Sequence, residues 1–277
     1  MNPLQVENIV RKALEEDLGR GDVTTAALIP EHKIGEGVLT SRSEGVLAGI
    51  EVADIAFRLL DPDARMERLV KDGDRLAPNR VIARVRCKLR ALLSAERVAL
   101  NFLQRLSGIA TATAEVVEIV KPYGVRVLDT RKTTPGLRVM EKYAIRMGGG
   151  WNHRLGLDDA VLIKDNHLRI VGSIRRAVAS ARACVGPLVK VEVEVETLDQ
   201  VQEAVDAGAD MILLDNMPLE TMRRAVNLVG GGMLIEASGN IHPDNAAVVA
   251  ATGVDFISLG WLTHSAKSVD IGLDMAD

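Results

Sequence analysis

A cluster of basic residues in the middle of the chain is the feature best suited to chemistry. Residues 129–167 hold five potential cations on both sides of the glycine turn at 148–150: Arg131, Lys132, His153, Arg154 and Lys164. The chain as a whole carries a formal charge of −4, so a basic composition does not account for the cluster. Arginine and lysine side chains in loops bind carboxylates and phosphates. The cluster therefore predicts a site for a substrate rich in these anions, and the alternative is a solvated loop with scattered ion pairs.

Two acidic residues predict a site for a divalent cation. Glu194 and Asp215 lie at the ends of two successive predicted strands, 188–195 and 211–215. If these strands are neighbours, the two carboxylates would reach one hard cation or a ribose diol. Magnesium that is shared with substrate phosphates suits one or two protein carboxylates. The alternative is a carboxylate pair that bridges to Lys190 or Lys164.

Two turns of small residues and two histidines complete the candidate site. The turns Ser238-Gly239-Asn240 and Ser258-Leu259-Gly260 would present N–H groups to a phosphate, although either would also serve simply to start a helix. His153 would act as an acid, a base or a carboxylate ligand, or else as a structural group beside the glycines. We expect His167 to brace the loop that carries Lys164. The chain contains no Walker A, G-x-S-x-G or H-E-x-x-H pattern, which argues against P-loop, serine hydrolase and zinc protease chemistry.

The chain has two regions with different patterns of predicted helices and strands, and these elements position the candidate residues. Residues 1–109 predict a domain of helices and short strands, with a helix at 3–18 and one or two helices that begin at a Ser94 N-cap. Residues 110–277 alternate strands with helices, which predicts a parallel sheet with right-handed crossovers. The predicted strands span 125–129, 160–164, 188–195, 211–215, 233–237 and 256–260, and the predicted helices span 137–147, 172–184, 197–207, 218–229 and 243–252.

Polar residues recur where these predicted strands end. In an α/β barrel the carboxyl-terminal rim of the strands holds the active site, and a doubly wound sheet binds ligands at the same ends. The strands are enough to close a barrel, although they are fewer than the standard barrel contains. The residues expected at this rim are Asp129, Lys164, Glu194, Asp215, Glu236 with Ser238, and Gly260.

The composition excludes several classes of protein. The acidic net charge and an aromatic content of 3% argue against nucleic-acid binding. No apolar run approaches the roughly 20 residues of a membrane span, and the first residues predict an amphipathic helix in place of a signal peptide. Cys87 and Cys184 are too few for a disulfide framework. We therefore expect a cytoplasmic protein with a hydrophobic core that binds neither nucleic acid nor membranes.

The chain resembles the quinolinate phosphoribosyltransferases over almost its whole length. The resemblance rests on nine motifs in order: EDLGRGDVTT at 16–25, SAERVALNFLQRLSGIAT at 94–111, DTRKTTPGLR at 129–138, EKYAIRMGGGWNHRLGL at 141–157, LIKDNH at 162–167, VEVEVE at 191–196, LLDN at 213–216, EASGN at 236–240 and ISLGWLTHS at 257–265. It implies an N-terminal α/β sandwich domain joined to an incomplete, TIM-like α/β barrel. It also implies a homodimer or higher homo-oligomer with shared active sites.

The same resemblance implies the reaction and the residue roles. Quinolinate and phosphoribosyl pyrophosphate would give nicotinate mononucleotide, pyrophosphate and carbon dioxide, with Mg²⁺ as cofactor. The implied catalytic residues are Lys132, Lys164, Glu194 and Asp215. The implied substrate contacts are Arg131, His153, Arg154 and Lys164 at the quinolinate carboxylates, Arg97 from the partner subunit, Lys132 at the pyrophosphate, Glu194 and Asp215 at the ribose and magnesium, and Ser238, Gly239, Asn240, Ser258, Leu259 and Gly260 at the 5′-phosphate. Thr130 is implied as a further substrate contact.

Two other functions stay open at this point. One is a paralogue encoded in molybdate transport operons, against which the retained TRK, NHR and LIKDNH motifs argue. The other is a catalytically silent binding protein on the same fold, because a fold does not fix a function. Two residues depart from the family pattern: Cys87 replaces a common glycine, and the bulky Trp261 would narrow the phosphate pocket.

Overall fold

The structure is a computed structural model that describes residues 1–276. Its helices are α1 (Pro3–Leu18), α2 (Val23–Leu28), α3 (Ile50–Leu60), α4 (Leu89–Val120), α5 (Arg138–Met147), α6 (Asp165–Val171), α7 (Ile174–Cys184), α8 (Leu198–Asp206), α9 (Leu219–Val229), α10 (Pro243–Ala250) and α11 (Trp261–His264). Its strands are β1 (Ile34–Ser41), β2 (Gly45–Val46), β3 (Arg65–Arg68), β4 (Arg75–Leu76), β5 (Val81–Lys88), β6 (Arg126–Leu128), β7 (Val161–Ile163), β8 (Val191–Val195), β9 (Met211–Asp215), β10 (Leu234–Ser238), β11 (Phe256–Ser258) and β12 (Ile271–Met275).

Residue contacts divide the chain into two compact units. The first unit comprises residues 1–114, 133–149 and the segment from 262 onward, and the second comprises 115–132 and 150–261. The boundary predicted after residue 109 falls inside α4, and α4 contributes residues to both units. None of the helices in the described part of the chain combines the length and the apolar character that a membrane-spanning segment requires.

The first unit is built on an antiparallel sheet in the order β12-β1-β5-β3. Alternate residues of β1 are buried, as expected for a strand with one face on a core. Helix α1 has the predicted bounds, because Val6, Val10 and Leu14 form one buried stripe and Asn2 caps the first turn with a hydrogen bond to the N–H of Leu4.

The expected N-cap at Ser94 is wrong. Helix α4 begins at Leu89, five residues earlier, and the buried side chains of Leu89 and Leu92 extend its apolar stripe upstream. The hydroxyl of Ser94 instead donates a hydrogen bond to the carboxylate of Asp22, at 3.0 Å. Apolar spacing therefore decides where this helix starts, and the serine side chain is used for a contact between helices.

The second unit is a parallel sheet in the order β6-β11-β10-β9-β8-β7. Its two edge strands are β6 and β7, so the described strands do not form a closed barrel, and Trp151 adds an isolated parallel bridge to Leu128 at the β6 edge. Helices α7 to α10 alternate with the strands. The architecture confirms the predicted α/β fold with an incomplete barrel.

The strand β8 shows how this sheet buries polar groups. Val191, Val193 and Val195 are buried on one face, as is usual in a parallel strand that is covered by helices. Glu192 and Glu194 point to the opposite face, and Glu192 is only 6% exposed. The sheet therefore carries acidic side chains on the face away from the valines.

Candidate active site

The carboxyl ends of the parallel strands gather the residues that the sequence indicated. Because neighbouring strands run in the same direction, residues at their carboxyl ends lie along one edge of the sheet. The structure places at or just beyond this edge Asp129, Lys164, Glu194, Asp215, Ser238 and Gly260. The prediction of a polar rim is confirmed for these positions.

Lys164 and Glu194 form an ion pair at this edge. The Nζ atom of Lys164 lies 2.5 Å from Oε2 of Glu194 on the neighbouring strand. The backbone N–H of Lys164 donates to Nδ1 of His167 at 2.9 Å. This contact confirms that His167 braces the loop of Lys164, and it sets the direction in which the lysine leaves the strand.

The carboxylates of Glu194 and Asp215 belong to adjacent strands. Glu194 pairs in register with Leu213, so Asp215 lies two residues further toward the same edge. Of the two lysines considered as partners, Lys164 contacts Glu194, whereas Lys190 pairs with Asp210 at 3.1 Å. Both proposed metal ligands thus offer hard oxygen atoms at one edge, which is the type of donor that Mg²⁺ prefers.

The first predicted phosphate turn is connected to Asp215 by a chain of amide hydrogen bonds. The side-chain amide of Asn216 donates to Oδ2 of Asp215 at 3.0 Å and accepts from Asn240 at 3.1 Å. Gly239 has φ +98°, and a Cβ there would lie 2.2 Å from Oδ1 of Asn216. Only glycine fits this close approach without displacing the asparagine. The turn at 238–240 and the carboxylate at 215 therefore keep a fixed spacing.

The second predicted phosphate turn is tied to the sheet. The N–H of Leu259 donates to the carbonyl of Leu128 at 3.1 Å, so this N–H serves the sheet. The indole N–H of Trp261 donates to the carbonyl of Ile241 at 2.9 Å, and its ring stacks on His242 with centroids 6.0 Å apart. Trp261 thus links the segments that follow β10 and β11.

His153 lies at the centre of a hydrogen-bond network. Its Nε2 atom is 2.9 Å from Oε2 of Glu192 and 3.6 Å from Oε2 of Glu236, and its Nδ1 accepts the N–H of Arg154 at 2.7 Å. The backbone N–H of His153 and the amide of Asn152 both donate to Asp129, at 2.9 and 2.6 Å. These bonds fix the backbone of residues 152–154.

The expectation that Glu236 lies at the rim is wrong. Glu236 is the third residue of β10, two residues before the strand end, and its side chain is fully buried. Burial and the nearby charge of Glu192 raise the pKa of Glu236 to about 8, while the ring of His153 and the hydroxyl of Ser258 act in the opposite direction. Ser238 occupies the rim position on the same face, because it is the last residue of β10 and lies two residues beyond Glu236.

Arg131 and Arg154 place two guanidinium groups near each other. Burial, and secondarily the charge of Arg131, lower the pKa of Arg154. The Nε of Arg131 is buried without a hydrogen-bond partner, and Nη1 of Arg154 donates to the carbonyl of Ala160 at 3.0 Å. Two repelling cations with an unused donor are suited to a bound anion, because the anion relieves the repulsion.

The remaining predicted contacts are more exposed. Lys132 is exposed, and its backbone N–H donates to the hydroxyl of Thr130 at 3.0 Å. Arg97 is exposed on α4 in the first unit. These side chains are accessible to phosphates or to a second chain.

Three residues that matter for the network were assigned no role from the sequence. Glu192, Glu236 and Asp129 converge on His153 or its backbone. The sequence does contain a signal for each of them, because VEVEVE places Glu192 on an acidic strand face and the other two residues stand near the ends of predicted strands. The sequence does not indicate how far below the rim each side chain is buried.

A parallel sheet with cations and carboxylates along its carboxyl edge is typical of an enzyme that handles anionic, phosphorylated substrates. Comparison with known proteins identifies the family. The family models described as "Quinolinate phosphoribosyl transferase, N-terminal domain" and "C-terminal domain" match residues 22–107 and 109–274. The chain therefore belongs to the quinolinate phosphoribosyl transferase family, and it is a pentosyltransferase enzyme.

Individual relatives support this assignment over the full chain. A probable nicotinate-nucleotide pyrophosphorylase [carboxylating] of Bacillus subtilis is 46% identical over 275 residues, which cover 99% of this chain and 95% of the relative. A nicotinate-nucleotide pyrophosphorylase [carboxylating] of Mycobacterium leprae is 43% identical, with 96% and 95% covered. The crystal structure of NadC from Streptococcus pyogenes superposes with a TM-score of 0.95 at 44% identity and covers 100% of this chain and 99% of that chain.

Proposed function

We propose that this chain transfers the phosphoribosyl group of phosphoribosyl pyrophosphate to the ring nitrogen of quinolinate and that carbon dioxide leaves in the same catalytic cycle. The products are nicotinate mononucleotide, pyrophosphate and carbon dioxide, a reaction of NAD biosynthesis. The observation that carries the proposal is the shared sheet edge, where the cation of Lys164 pairs with the carboxylate of Glu194 and Asp215 ends the next strand. One substrate is a dianion and the other carries a ribose diol and phosphates, so each half of the edge has a matching partner.

The basic residues hold quinolinate in this proposal. Arg131, Arg154 and Lys164 supply the charge for its two carboxylates, and His153 is a further contact to them. An arginine–carboxylate contact is directional as well as strong, because two parallel hydrogen bonds fix the plane of the carboxylate. The pyridine nitrogen is thereby aimed at the sugar carbon to which it bonds.

The acidic residues act on the sugar. As pyrophosphate leaves, the ribosyl carbon gains positive charge, and the carboxylates of Glu194 and Asp215 stabilise that charge electrostatically. The 5′-phosphate is received by the turns at 238–240 and 258–260, although the N–H of Leu259 is already bonded to Leu128. Lys132 meets the pyrophosphate, and Thr130 is a further substrate contact. The amide chain from Asp215 through Asn216 to Asn240 supports this division, because it couples the ribose site to the phosphate turn.

Magnesium fits the same carboxylates. Glu194 and Asp215 would hold Mg²⁺, which when bound neutralises charge on the pyrophosphate group. Lys164 occupies one oxygen of Glu194 in this structure, so the lysine and the metal share that carboxylate.

Decarboxylation requires no nucleophile from the protein. Once the ring nitrogen carries the ribosyl group, the pyridine ring is cationic and accepts the electron pair that the departing carboxylate leaves at the adjacent carbon. A proton then replaces carbon dioxide at that carbon. The role of the chain in this step is to hold the ring while neutral carbon dioxide leaves.

The proposal also includes assembly and location. Arg97 is presented to the quinolinate site by a partner subunit, so the active form is at least a homodimer; the exposure of Arg97 on α4 and the resemblance of the SAERVALNFLQRLSGIAT motif support this. The two cysteines are unpaired, which suits a reducing cytoplasm.

The test is a product assay with the purified chain. Quinolinate labelled in the 2-carboxylate, phosphoribosyl pyrophosphate and Mg²⁺ should give labelled carbon dioxide and an equal amount of nicotinate mononucleotide. Omission of either substrate is the control. Product from nicotinate at a comparable rate, or no product from quinolinate, would exclude the proposed reaction.

A further inference from the structure

Beneath the rim, two glutamates converge on the ring of His153. Glu192 comes from β8 and Glu236 from β10, two strands that are separated by β9. Their Oε2 atoms lie 2.9 and 3.6 Å from Nε2 of His153. Both glutamate side chains are buried, so the three side chains form a polar cluster that is shielded from solvent.

The hydrogen bonds fix the tautomer of the histidine. The N–H of Arg154 points to Nδ1 at 2.7 Å, so Nδ1 must offer a lone pair. The ring proton is then on Nε2, which donates it to Glu192 at 2.9 Å. His153 is therefore a neutral ring with both nitrogens bonded, and Oε2 of Glu192 is the acceptor.

Glu236 is left with a different environment. Neither of its oxygens has a partner with good hydrogen-bond geometry, although the hydroxyl of Ser258 lies near enough to favour the charged form, and Oε1 of Glu192 has no partner either. An ionised carboxylate without donors in a buried site is costly. As a carboxylic acid, Glu236 carries an O–H that matches the unused oxygen of Glu192. The carboxyl of Glu236 and Oε1 of Glu192 can thus form a hydrogen bond only when Glu236 is protonated.

We propose that Glu236 is a positioning residue: it stays protonated, and as a neutral acid it holds Glu192 and His153 in place and thereby fixes the loop that carries Arg154. The proposal rests on the proposed function, because quinolinate is taken as the ligand of Arg154. The path from Glu236 to the substrate runs through Glu192, the His153 ring and the N–H of Arg154.

A metal ion is the main alternative occupant of this cluster. His153, Glu192 and Glu236 offer ligand atoms within 4.8 Å of one another. Coordination by Nε2 requires a lone pair on that atom and therefore a proton on Nδ1. The hydrogen bond from Arg154 to Nδ1 places the proton on Nε2 instead, so the geometry favours the neutral acid.

The proposal predicts a pH dependence of quinolinate binding. The titratable and polar groups that face Glu236 are the carboxylates of Glu192 on β8 and of Asp129 after β6, the ring of His153, and the hydroxyl of Ser258 on β11. The pKa of Glu236 is raised to about 8, so above that pH a second negative charge arises beside Glu192. That charge repels Glu192, loosens the His153 contact and opposes a dianionic ligand.

The experiment compares the wild type with Glu236→Ala and the conservative Glu236→Gln between about pH 6.5 and 9.5. For each protein, kcat and the KM values for quinolinate and for phosphoribosyl pyrophosphate are measured, and thermal melting checks the fold. In the wild type, the quinolinate KM should rise above pH 8 by up to about tenfold per pH unit, as for a single ionising group. Glu236→Ala should raise the quinolinate KM about tenfold at all pH values and leave the other KM unchanged.

The glutamine variant separates positioning from packing. Its amide is neutral at every pH and can donate to Glu192, so it should restore a low quinolinate KM and abolish the alkaline rise. ¹⁵N spectra of the histidines should show the Nε2–H tautomer for His153 at neutral pH. Any of four results would overturn the proposal. Two are kinetic: an alkaline rise of the quinolinate KM that persists in Glu236→Gln, or an unchanged quinolinate KM in Glu236→Ala. The other two are a cationic His153 and stoichiometric bound metal that is lost in Glu236→Gln. If the proposed function itself were wrong, the wild type would form no product, and this result is distinct from all four.

Discussion

The amino group of Lys164 and the carboxylate of Glu194 lie 2.5 Å apart across two neighbouring strands. One of these residues belongs to the quinolinate half of the proposed site and the other to the ribose and magnesium half. Because the two side chains are paired before substrate binds, a ligand in either half of the site must compete with this ion pair. A metal at Glu194 competes with Lys164 for the carboxylate, and a substrate carboxylate competes with Glu194 for the lysine.

Glu194→Gln should therefore separate binding from turnover. Loss of the carboxylate frees Lys164 for quinolinate, so we expect quinolinate affinity to be kept or improved. Turnover should fall by about a hundredfold or more, because an electrostatic stabiliser of the ribosyl cation is lost. Calorimetry with quinolinate alone and steady-state rates across Mg²⁺ concentrations measure the two effects.

Asp215→Asn is the matched variant for this comparison. It should lower turnover and the magnesium response without freeing Lys164, so its quinolinate affinity should stay at the wild-type value. Collapse of quinolinate affinity in either variant, with turnover at saturation intact, would show that the acidic residues bind the pyridine.

Substrate analogues should reveal the need for both carboxylates of quinolinate. Arg131, Arg154 and Lys164 provide more cations than one carboxylate requires, and Arg131 and Arg154 repel each other through space. An analogue that lacks either carboxylate leaves a partly buried cation unpaired, which should lower kcat/KM by about a hundredfold or more. Competition assays with nicotinate and with pyridine-2-carboxylate test this, and equal efficiency for either analogue would remove the assignment.

Arg97→Ala and Lys164→Ala chains should complement each other if the sites are shared. Each variant alone should be nearly inactive. In a mixed dimer one site carries both substitutions and the other carries neither, so partial activity should return on mixing. Native mass spectrometry is used to prove subunit exchange, and exchange without recovered activity would place Arg97 in the site of its own chain.

Gly239→Ala should weaken binding of phosphoribosyl pyrophosphate. A Cβ at this position would lie 2.2 Å from Oδ1 of Asn216, so the asparagine must move and the turn at 238–240 must shift. We expect the KM for phosphoribosyl pyrophosphate to rise at least about tenfold while quinolinate affinity is unchanged. Gly172→Ala is the control, because Gly172 has a similar φ of +96° and a Cβ there meets no atom within 4 Å. Equal effects from both substitutions would show that backbone strain alone is responsible.

The stability of the fold should also report on Glu236. Its pKa is about 8 in the folded chain and 4.5 in its ordinary state, so the folded state holds a proton that the unfolded state loses over this interval. Stability should therefore fall as pH rises from 4.5 to 8. Glu236→Gln removes this contribution, so its melting temperature relative to the wild type should increase with pH. A constant difference across that range would show that Glu236 does not titrate on unfolding.

The parts of the fold that depend on local pattern were predicted from the sequence. Helix α1 and strand β9 have the predicted bounds, and the parallel order follows from the alternation of strands and helices. The rim could be predicted because parallel strands share a carboxyl edge. The start of α4 could not be read from Ser94, since a capping residue is also an ordinary polar residue, and buried leucines upstream decided the boundary.

The site was predicted less completely than the fold. The cations and the two rim carboxylates follow from residue type and position at strand ends. The contact of His153 with Glu192 and Glu236 does not, because it joins strands that are not neighbours and depends on how far the sheet curves. A charged residue near the end of a predicted strand can thus be buried below the rim, where it contacts other side chains.

The strand β12 has a consequence for how the chain is made. It pairs with β1, from Gly37 with Met275 to Ser41 with Ile271, so the sheet of the first unit contains both early and late parts of the chain. During synthesis on the ribosome, β1 emerges long before its partner, and one of its edges stays unpaired while the whole second unit is translated. An open strand edge is a site for pairing with other chains. The unit that is synthesised first is therefore completed last, and nascent chains should depend on protection of that edge until residues 271–275 arrive.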